Sequence, residues 1–426
     1  MNTNIKRITF FILLLLLLHL PANSGMEVGA GARALALANN HVASANNLSA
    51  LYWNPAALAI LPVREFQVSF DGMRMYGTTE VAGTGVTVPS GAKMSDYSDR
   101  IRLSGLGYMS AMPTVQGGLT LAASFDRPYM FDNFTFYTFN TPWDETVELD
   151  GRRYGDLNRW SGAFGIQVAP KVSAGLTLSV VSGSYESPIK QKVWFDNTLL
   201  EAYPDYYDVE FEKNFLGYML TFGALAYPTD ELKIGLKIDA VSNIRFTETW
   251  FLRENYADTR RERGDLKGRA YRAPTGTLGI EYKLPWITTA FDIRATMPYT
   301  FVLPLGVPDT IQARYFKFGA GIGLEAPLPS LPIVLRAGYS IDEHDIYPII
   351  YKYDGLEIEW GDANFWPKKD RHTIGAGIAF FTAGLGLELS YAYQTWGIAT
   401  NNWDNWMSLR QNYSSHRVMT SIIYRY

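Results

Sequence analysis

From residue 63 to the last residue, apolar and polar side chains alternate in stretches of about ten, separated by turns. The final stretch, 417–426, is the plainest. Val418, Ile422, Tyr424 and Tyr426 fall on one face of a two-residue repeat; Arg417, Met419, Ser421 and Arg425 fall mostly on the other. A sheet built from such strands is apolar along one whole side. In hydrocarbon no water pairs with an exposed backbone N–H or C=O, so a spanning sheet must close on itself. The expected fold is therefore all-β, a transmembrane antiparallel barrel of about 14 strands. Its last aromatics, Tyr424 and Tyr426, have the form of an assembly signal for barrel-insertion machinery.

The pattern recurs at 63–76, 97–110, 115–126, 157–169, 172–185, 209–227, 232–246, 268–283, 286–296, 312–326, 333–344, 371–381, 383–396 and 415–426. In the seventh stretch Leu232, Ile234, Leu236 and Ile238 are expected to face lipid, and Lys233, Gly235, Lys237 and Asp239 a wet interior. The tenth sets Phe316, Phe318, Ala320, Ile322 and Leu324 outside, with Lys317, Gly319, Gly321, Gly323 and Glu325 inside. Short connections, mostly proline turns such as 227–231, alternate with long ones such as 127–156, 186–208 and 345–370. Outer-membrane barrels keep short turns in the periplasm and long loops outside, so both termini are expected in the periplasm of a Gram-negative cell.

The first residues read as an export signal. Lys6 and Arg7 precede the apolar run 12–18, and Ala22-Asn23-Ser24 offers small residues for cleavage near Gly25. That run is shorter than the roughly 18–20 residues a spanning helix needs. Loss of Lys6 and Arg7 takes the formal net charge from −4 to −6, mild acidity that argues against a nucleic-acid partner. Tyr (27) outnumbers Phe (23), as expected where Tyr and Trp line membrane–water interfaces. Cysteine is absent, which excludes disulfides and thiolate metal sites. The chain is read as signal peptide 1–24, an inner segment 25–62 and a barrel 63–426.

The segment before the first strand is different. It is rich in Ala and Asn, through Gly31-Ala32-Arg33-Ala34, then Asn39 to Asn47, then Tyr52-Trp53-Asn54-Pro55-Ala56. Small side chains allow close backbone approach, and Asn54-Pro55 reads as an N-cap followed by proline at the first helical position. About 35 such residues are enough to fill part of a barrel lumen.

Here the chain resembles the long-chain fatty-acid transporters of Gram-negative outer membranes (FadL/TodX type). Arg33 and the triplet Asn54, Pro55 and Ala56 carry the resemblance, which is close over 27–60 and architectural beyond. It implies an N-terminal hatch in the lumen and passive entry of hydrophobic ligands from outside. It also implies exit through a gap in the wall near a kinked third strand; Gly117-Gly118 is one candidate for such a kink and equally a turn. The resemblance covers secretion-machinery components too, so a non-transporting barrel of a secretion or surface-assembly machine is the alternative.

Two groups of residues are candidates for contact with a ligand. Phe131, Phe134 and Phe136 in one long connection, and Tyr299, Phe301 and Leu303 in another, form apolar loop surface suited to capturing a hydrophobic small molecule, or else pack loop against loop. Lys233, Lys237, Arg294, Lys317 and Arg336 point inward, where a carboxylate would seek a cation or where they pair with other charges. Enzyme signals are poor. His41, His344, His372 and His416 make no metal-ligand spacing, and Asp342-Glu343-His344-Asp345 reads as a solvated loop mouth. The expectation is a monomer, not an enzyme, without cofactor, surrounded by outer-membrane lipid and lipopolysaccharide.

Overall fold

The computed structural model describes residues 26–83, 86–88, 95–112, 114, 117–140, 145–195, 205–240, 242–254, 260–272, 274–297, 299–302, 310–313, 316–343, 350–353, 365–401 and 407–426. The signal peptide, Leu303, and His344 and Asp345 of the loop mouth lie outside these residues, as do the side chains of Tyr299 and Phe301.

Fourteen strands form a closed antiparallel barrel. They are β1 Arg64–Gly83, β2 Ser95–Met112, β3 Leu119–Met130, β4 Glu145–Ala169, β5 Val172–Phe195 and β6 Asp205–Ala226. Next come β7, in two pieces, Leu232–Asp239 and Ser242–Glu254, and β8, also in two, Arg260–Arg272 and Thr275–Lys283. The circuit continues with β9 Thr288–Thr296, β10 Lys317–Pro327, β11 Ile333–Asp342, β12 Phe365–Thr382, β13 Leu385–Asn401 and β14 Met407–Arg425. Each strand pairs with the next, and β14 pairs back onto β1 from Arg425↔Glu65 to Met407↔Gly83. Closure leaves no edge strand in the wall.

The alternation behaves as the sequence requires. Ile234, Leu236, Ile238, Phe318, Ile322, Val418 and Ile422 are exposed on the outer face, and Gly235, Lys237, Asp239, Arg417, Met419 and Ser421 are buried inside. Outward aromatics form two rows. Phe66, Tyr108, Tyr424 and Tyr426 lie at the short-turn end; Tyr76, Tyr97, Tyr218 and Tyr339 lie toward the other. Ten positions separate Phe66 from Tyr76 on β1. At a rise of about 3.3 Å per residue and a tilt of about 40°, that is an apolar band about 25 Å tall.

The strand lengths depart from the sequence reading. β4, β5 and β6 run for 25, 24 and 22 residues, so much of 127–156 and 186–208 is strand rather than loop. Above the band both faces meet water or other strands, and the outer face loses its apolar signal although the ladder continues. A short strand, Asn133–Asn140, pairs with β4 from Arg153 to Thr146 in the same region.

Candidate functional site

The inner segment runs from Val28 to Ile60 through the barrel, and nearly all of it is buried. Its helices are too short to hold themselves: α1 Ala32–Ala36, α2 Ala50–Trp53 and a 3-10 turn Pro55–Ile60. The wall holds them instead. Asn54 caps the last of these, as its position before Pro55 predicts, though the turn is 3-10 rather than α. Its Oδ1 accepts from the Ala56 N–H at 3.1 Å, and its Nδ2 donates to the Val42 and Ala224 carbonyls at 3.0 Å each. One carboxamide thus joins two stretches of the segment to β6. Trp53 Nε1 donates to the Ala30 carbonyl at 2.8 Å and ties the two ends of the segment together.

The wall facing this segment is made of glycine. A Cβ on Gly165 of β4 would come 2.6 Å from the Pro55 carbonyl oxygen; on Gly175 of β5, 2.5 Å from the same atom. On Gly235 of β7 it would come 2.8 Å from the Val42 oxygen, and on Gly375 of β12, 2.5 Å from the Leu35 oxygen. Any side chain at these positions collides with the inner backbone. The inward glycines expected to border water, Gly235, Gly321 and Gly323 among them, border the inner segment instead.

Buried charges stitch the same contact. Arg33 of α1 donates through Nε to Glu325 Oε2 of β10 at 2.8 Å, and through Nη1 to the Ser44 carbonyl. Arg336 of β11 shares Glu325 at 2.8 Å and also holds Glu388 of β13 at 2.8 Å. Asp292 of β9 accepts from the backbone N–H of His41 at 2.7 Å and of Val42 at 3.1 Å. Lys237 pairs with Asp239 at 3.0 Å and lies over the Tyr52 ring; Lys233 pairs with Glu281 at 2.7 Å. Arg294 lies 3.0 Å from Asp342 and donates to the Asn39 carbonyl at 3.3 Å. Lys317 is half-buried on the inner face. Lys233, Lys237, Arg294 and Arg336 are thus engaged with acids or with the inner segment. Alternation places Asp292, Glu325 and Glu388 on the inner face but does not name their partners; Val42 and Arg33 lie 250 and 292 positions from Asp292 and Glu325.

The aromatic residues expected as exposed loop surface are buried. Phe131, Phe134 and Phe136 are 1%, 6% and 8% exposed. Phe131 stacks on Phe215 with ring centroids 5.4 Å apart and lies 5.7 Å from Tyr185. Together with Leu157, Val181, Met219, Ile244 and Phe246 they make one apolar cluster on the inner faces of β4 to β7. The cluster sits about eight residues along these strands from Gly165, Gly175 and Gly223, on the side of the long connections. Phe134 packs edge-on against Tyr413, inside the mouth rather than over it. The pairing of Asn133–Asn140 with β4 turns these side chains in.

The wall is irregular where β2 and β3 part. The β2–β3 ladder runs from Met112↔Leu119 to Gly105↔Asp126 and stops. There β3 bulges at Arg127-Pro128, between the pairs that Asp126 and Tyr129 make with β4. Gly117 and Gly118 take no part in it: Gly117 has φ 76 in the turn before β3, and Gly118 abuts Ala59. The residues just ahead of the inner segment occupy the opening. Met26–Glu27 pairs with Met130 and Tyr129, and the Val28 N–H donates to the Pro128 carbonyl at 2.8 Å. Beside it lies a cleft of about 30 Å³ lined by Ala30, Gly31, Leu48, Ser104, Phe125 and Asp126. Across the opening Arg100 and Arg102 of β2 reach Asp156 of β4; Arg100 also holds Asp132 at 2.6 Å and Arg102 holds Asp71 at 2.8 Å.

These features define a class: a closed fourteen-stranded barrel with its N-terminal segment buried inside and an apolar inner cluster. Solved structures are similar in fold to this chain along nearly its whole length. A FadL homologue of Pseudomonas aeruginosa is 14% identical, with a TM-score of 0.63, over 94% of this chain and 99% of that one. The Pseudomonas putida toluene transporter TodX is 16% identical, with a TM-score of 0.60, over 94% and 99%. The Ralstonia pickettii toluene transporter TbuX is 12% identical, with a TM-score of 0.53, over the same shares. At these identities the likeness is one of fold. No protein-family model and no curated protein matches the chain.

Proposed function

We propose that this chain is an outer-membrane channel that admits hydrophobic small molecules passively, with residues 28–61 as its plug. The observation that carries the reading is the apolar cluster of Phe131, Tyr185, Phe215, Ile244 and Phe246 inside the barrel. A water-filled pore has no use for buried aromatics on its inner wall, whereas a greasy solute exchanges water for them favourably. The 25 Å outer band with its aromatic rows supports a membrane setting. The similarity to toluene transporters and a FadL homologue supports the substrate class.

A ligand enters from the side of the long connections, rests among the cluster, and leaves past the Gly105–Asp126 seam when Met26–Glu27 and the residues behind it shift. Long-chain fatty acids are the finer reading. Arg294 and Arg371 flank Asp342 on the inner wall, at 3.0 and 3.5 Å, and leave one excess positive charge for a carboxylate. The protein is a monomer with periplasmic termini in this reading, and no chemistry of bond making is involved. Uptake of toluene and of oleate should be compared in cells with and without the protein. Equal uptake of both with and without it overturns the channel reading; uptake of toluene alone removes the fatty-acid one. A protease-cleavable tag at Asp230, between β6 and β7, tests the orientation and should be inaccessible from outside.

A further inference from the structure

The hairpin made by the upper pieces of β7 and β8 carries a row of cations that no described residue holds in an ion pair. Arg245 stands directly opposite Arg269 in the ladder, and Arg269 in turn pairs with Lys352 of the short strand Ile350–Tyr353. One row further, Lys267 stands opposite Thr247. Arg245, Lys267 and Arg269 are exposed on the outward face, and among the described residues none of the three has an ion pair or side-chain hydrogen bond. Opposed like charges at this spacing destabilise a sheet unless a counter-charge lies between them.

Two described acids nearby are otherwise engaged. Asp265, two positions beyond Lys267, accepts from the Thr249 hydroxyl at 2.9 Å; Glu212, opposite Thr249 on β6, accepts from Asn214 at 3.1 Å. From Arg245 to Thr249 is four positions, about 13 Å of strand and beyond a Debye length at physiological salt.

The height of the row says what it meets. Arg245 is paired across the ladder with Leu216, which is 62% exposed, and Tyr218 of the upper aromatic row lies one outward position below it. The cations therefore stand immediately above the apolar band and point away from the barrel axis, where membrane headgroups lie. We propose that this face binds the phosphate groups of the outer-leaflet glycolipid, with Arg245 and Arg269 sharing one phosphate and Lys267 supporting it. Guanidinium groups pair with phosphate oxygens through two parallel N–H bonds, which suits two arginines facing each other. The inference rests on the outer-membrane orientation above, and it concerns the outer surface, not the transported ligand.

The test uses full-length folded protein in detergent, with bisphosphorylated lipid A as probe and native mass spectrometry as readout. The Arg245→Gln/Arg269→Gln pair should weaken lipid A retention about 30-fold, from about 1 kcal/mol per basic residue near an anionic surface. Arg253→Gln/Arg263→Gln, higher on the same hairpin, should change it far less. Lipid A stripped of both phosphates should bind wild type and variant alike, and weakly. Equal retention by wild type and the Arg245/Arg269 variant overturns the proposal, as does equal binding of the dephosphorylated lipid by wild type. Complete displacement by millimolar pyrophosphate also overturns it, by revealing a free-anion site. Toluene uptake measured on the same variants separates the two readings: a protein that retains lipid A through these residues but takes up nothing keeps this surface and loses the channel.

Discussion

Arg417 of the last barrel strand donates through Nη2 to Asp71 of the first at 2.6 Å, and through Nη1 to the Val28 carbonyl of the inner segment. One buried guanidinium therefore holds both the closing seam and the inner segment. Arg102 shares the same carboxylate. Asp71→Asn leaves two buried cations with half their partner, at a cost on the order of 3–5 kcal/mol. The urea midpoint of the heat-modifiable folded band should fall accordingly, and an unchanged midpoint would show the network to be dispensable.

The glycine wall predicts an effect on the plug without one on the barrel. Gly175→Val puts side-chain atoms where the Pro55 carbonyl lies, whereas a Cβ at Gly162 of β4 meets nothing within 4 Å. Both substitutions suit a strand. Single-channel conductance in planar bilayers should rise for Gly175→Val and stay at the wild-type level for Gly162→Val. Equal conductance in the two would mean that the inner segment does not block the lumen.

Asn54 makes a cap and two cross-links, and two substitutions separate them. Asn54→Asp keeps the Oδ1 acceptor for Ala56 but loses the donors to Val42 and Ala224; Asn54→Ala loses everything. The cap alone is worth about 0.5–2 kcal/mol. Hydrogen exchange at Ala56–Ile60 should be fastest in the alanine variant and intermediate in the aspartate one, with the barrel strands unaffected. Identical exchange in all three proteins would contradict the cap.

His41 should make docking of the inner segment depend on pH. Burial holds its imidazole well below the ordinary 6.5, with Arg33 lowering it further. Glu325 opposes this, and Arg336 and Lys233 add to it. Nδ1 lies 2.9 Å from the Ser44 hydroxyl and Nε2 has no partner. A released segment takes up a proton near pH 6.5 that the docked one refuses, so docking is at full strength above that pH and weakens as pH falls below it. Conductance should therefore rise between pH 7.5 and 5 in the wild type and much less in His41→Gln. An equal rise in both would place the titration elsewhere.

The fold was legible because a lipid-facing strand has no choice about its outer face. Val418, Ile422 and Leu236 announce the register of their strands, and one-residue slips would turn every one of them inward. The ends of the long strands were not legible. Above the apolar band, Glu148, Lys190 and Glu210 replace aliphatics on the outer face although the ladder continues. The site was half legible. Arg33 and Asn54-Pro55-Ala56 identified the inner segment, and alternation placed Lys237, Arg294 and Arg336 inside. Glu325, Asp292 and Asp71 were invisible as partners, since 292 positions separate Arg33 from Glu325. Phe131 and Phe134 misled because composition cannot tell an aromatic loop from an aromatic lining; the pairing of Asn133–Asn140 with β4 decides it.

The seam between β14 and β1 also sets an order of events during biogenesis. The inner segment precedes β1 in the chain, and β14 follows the other thirteen strands of the barrel. While that final hairpin is unpaired, the sheet is an open trough and residues 28–61 reach the bare glycine floor from the side. Once Arg425 to Met407 has zipped onto β1, the side entrance is gone and only the mouth remains. Arg417, midway along that seam, satisfies its guanidinium fully only with the Val28 carbonyl in place. A barrel that shut empty would carry an under-coordinated cation in its wall.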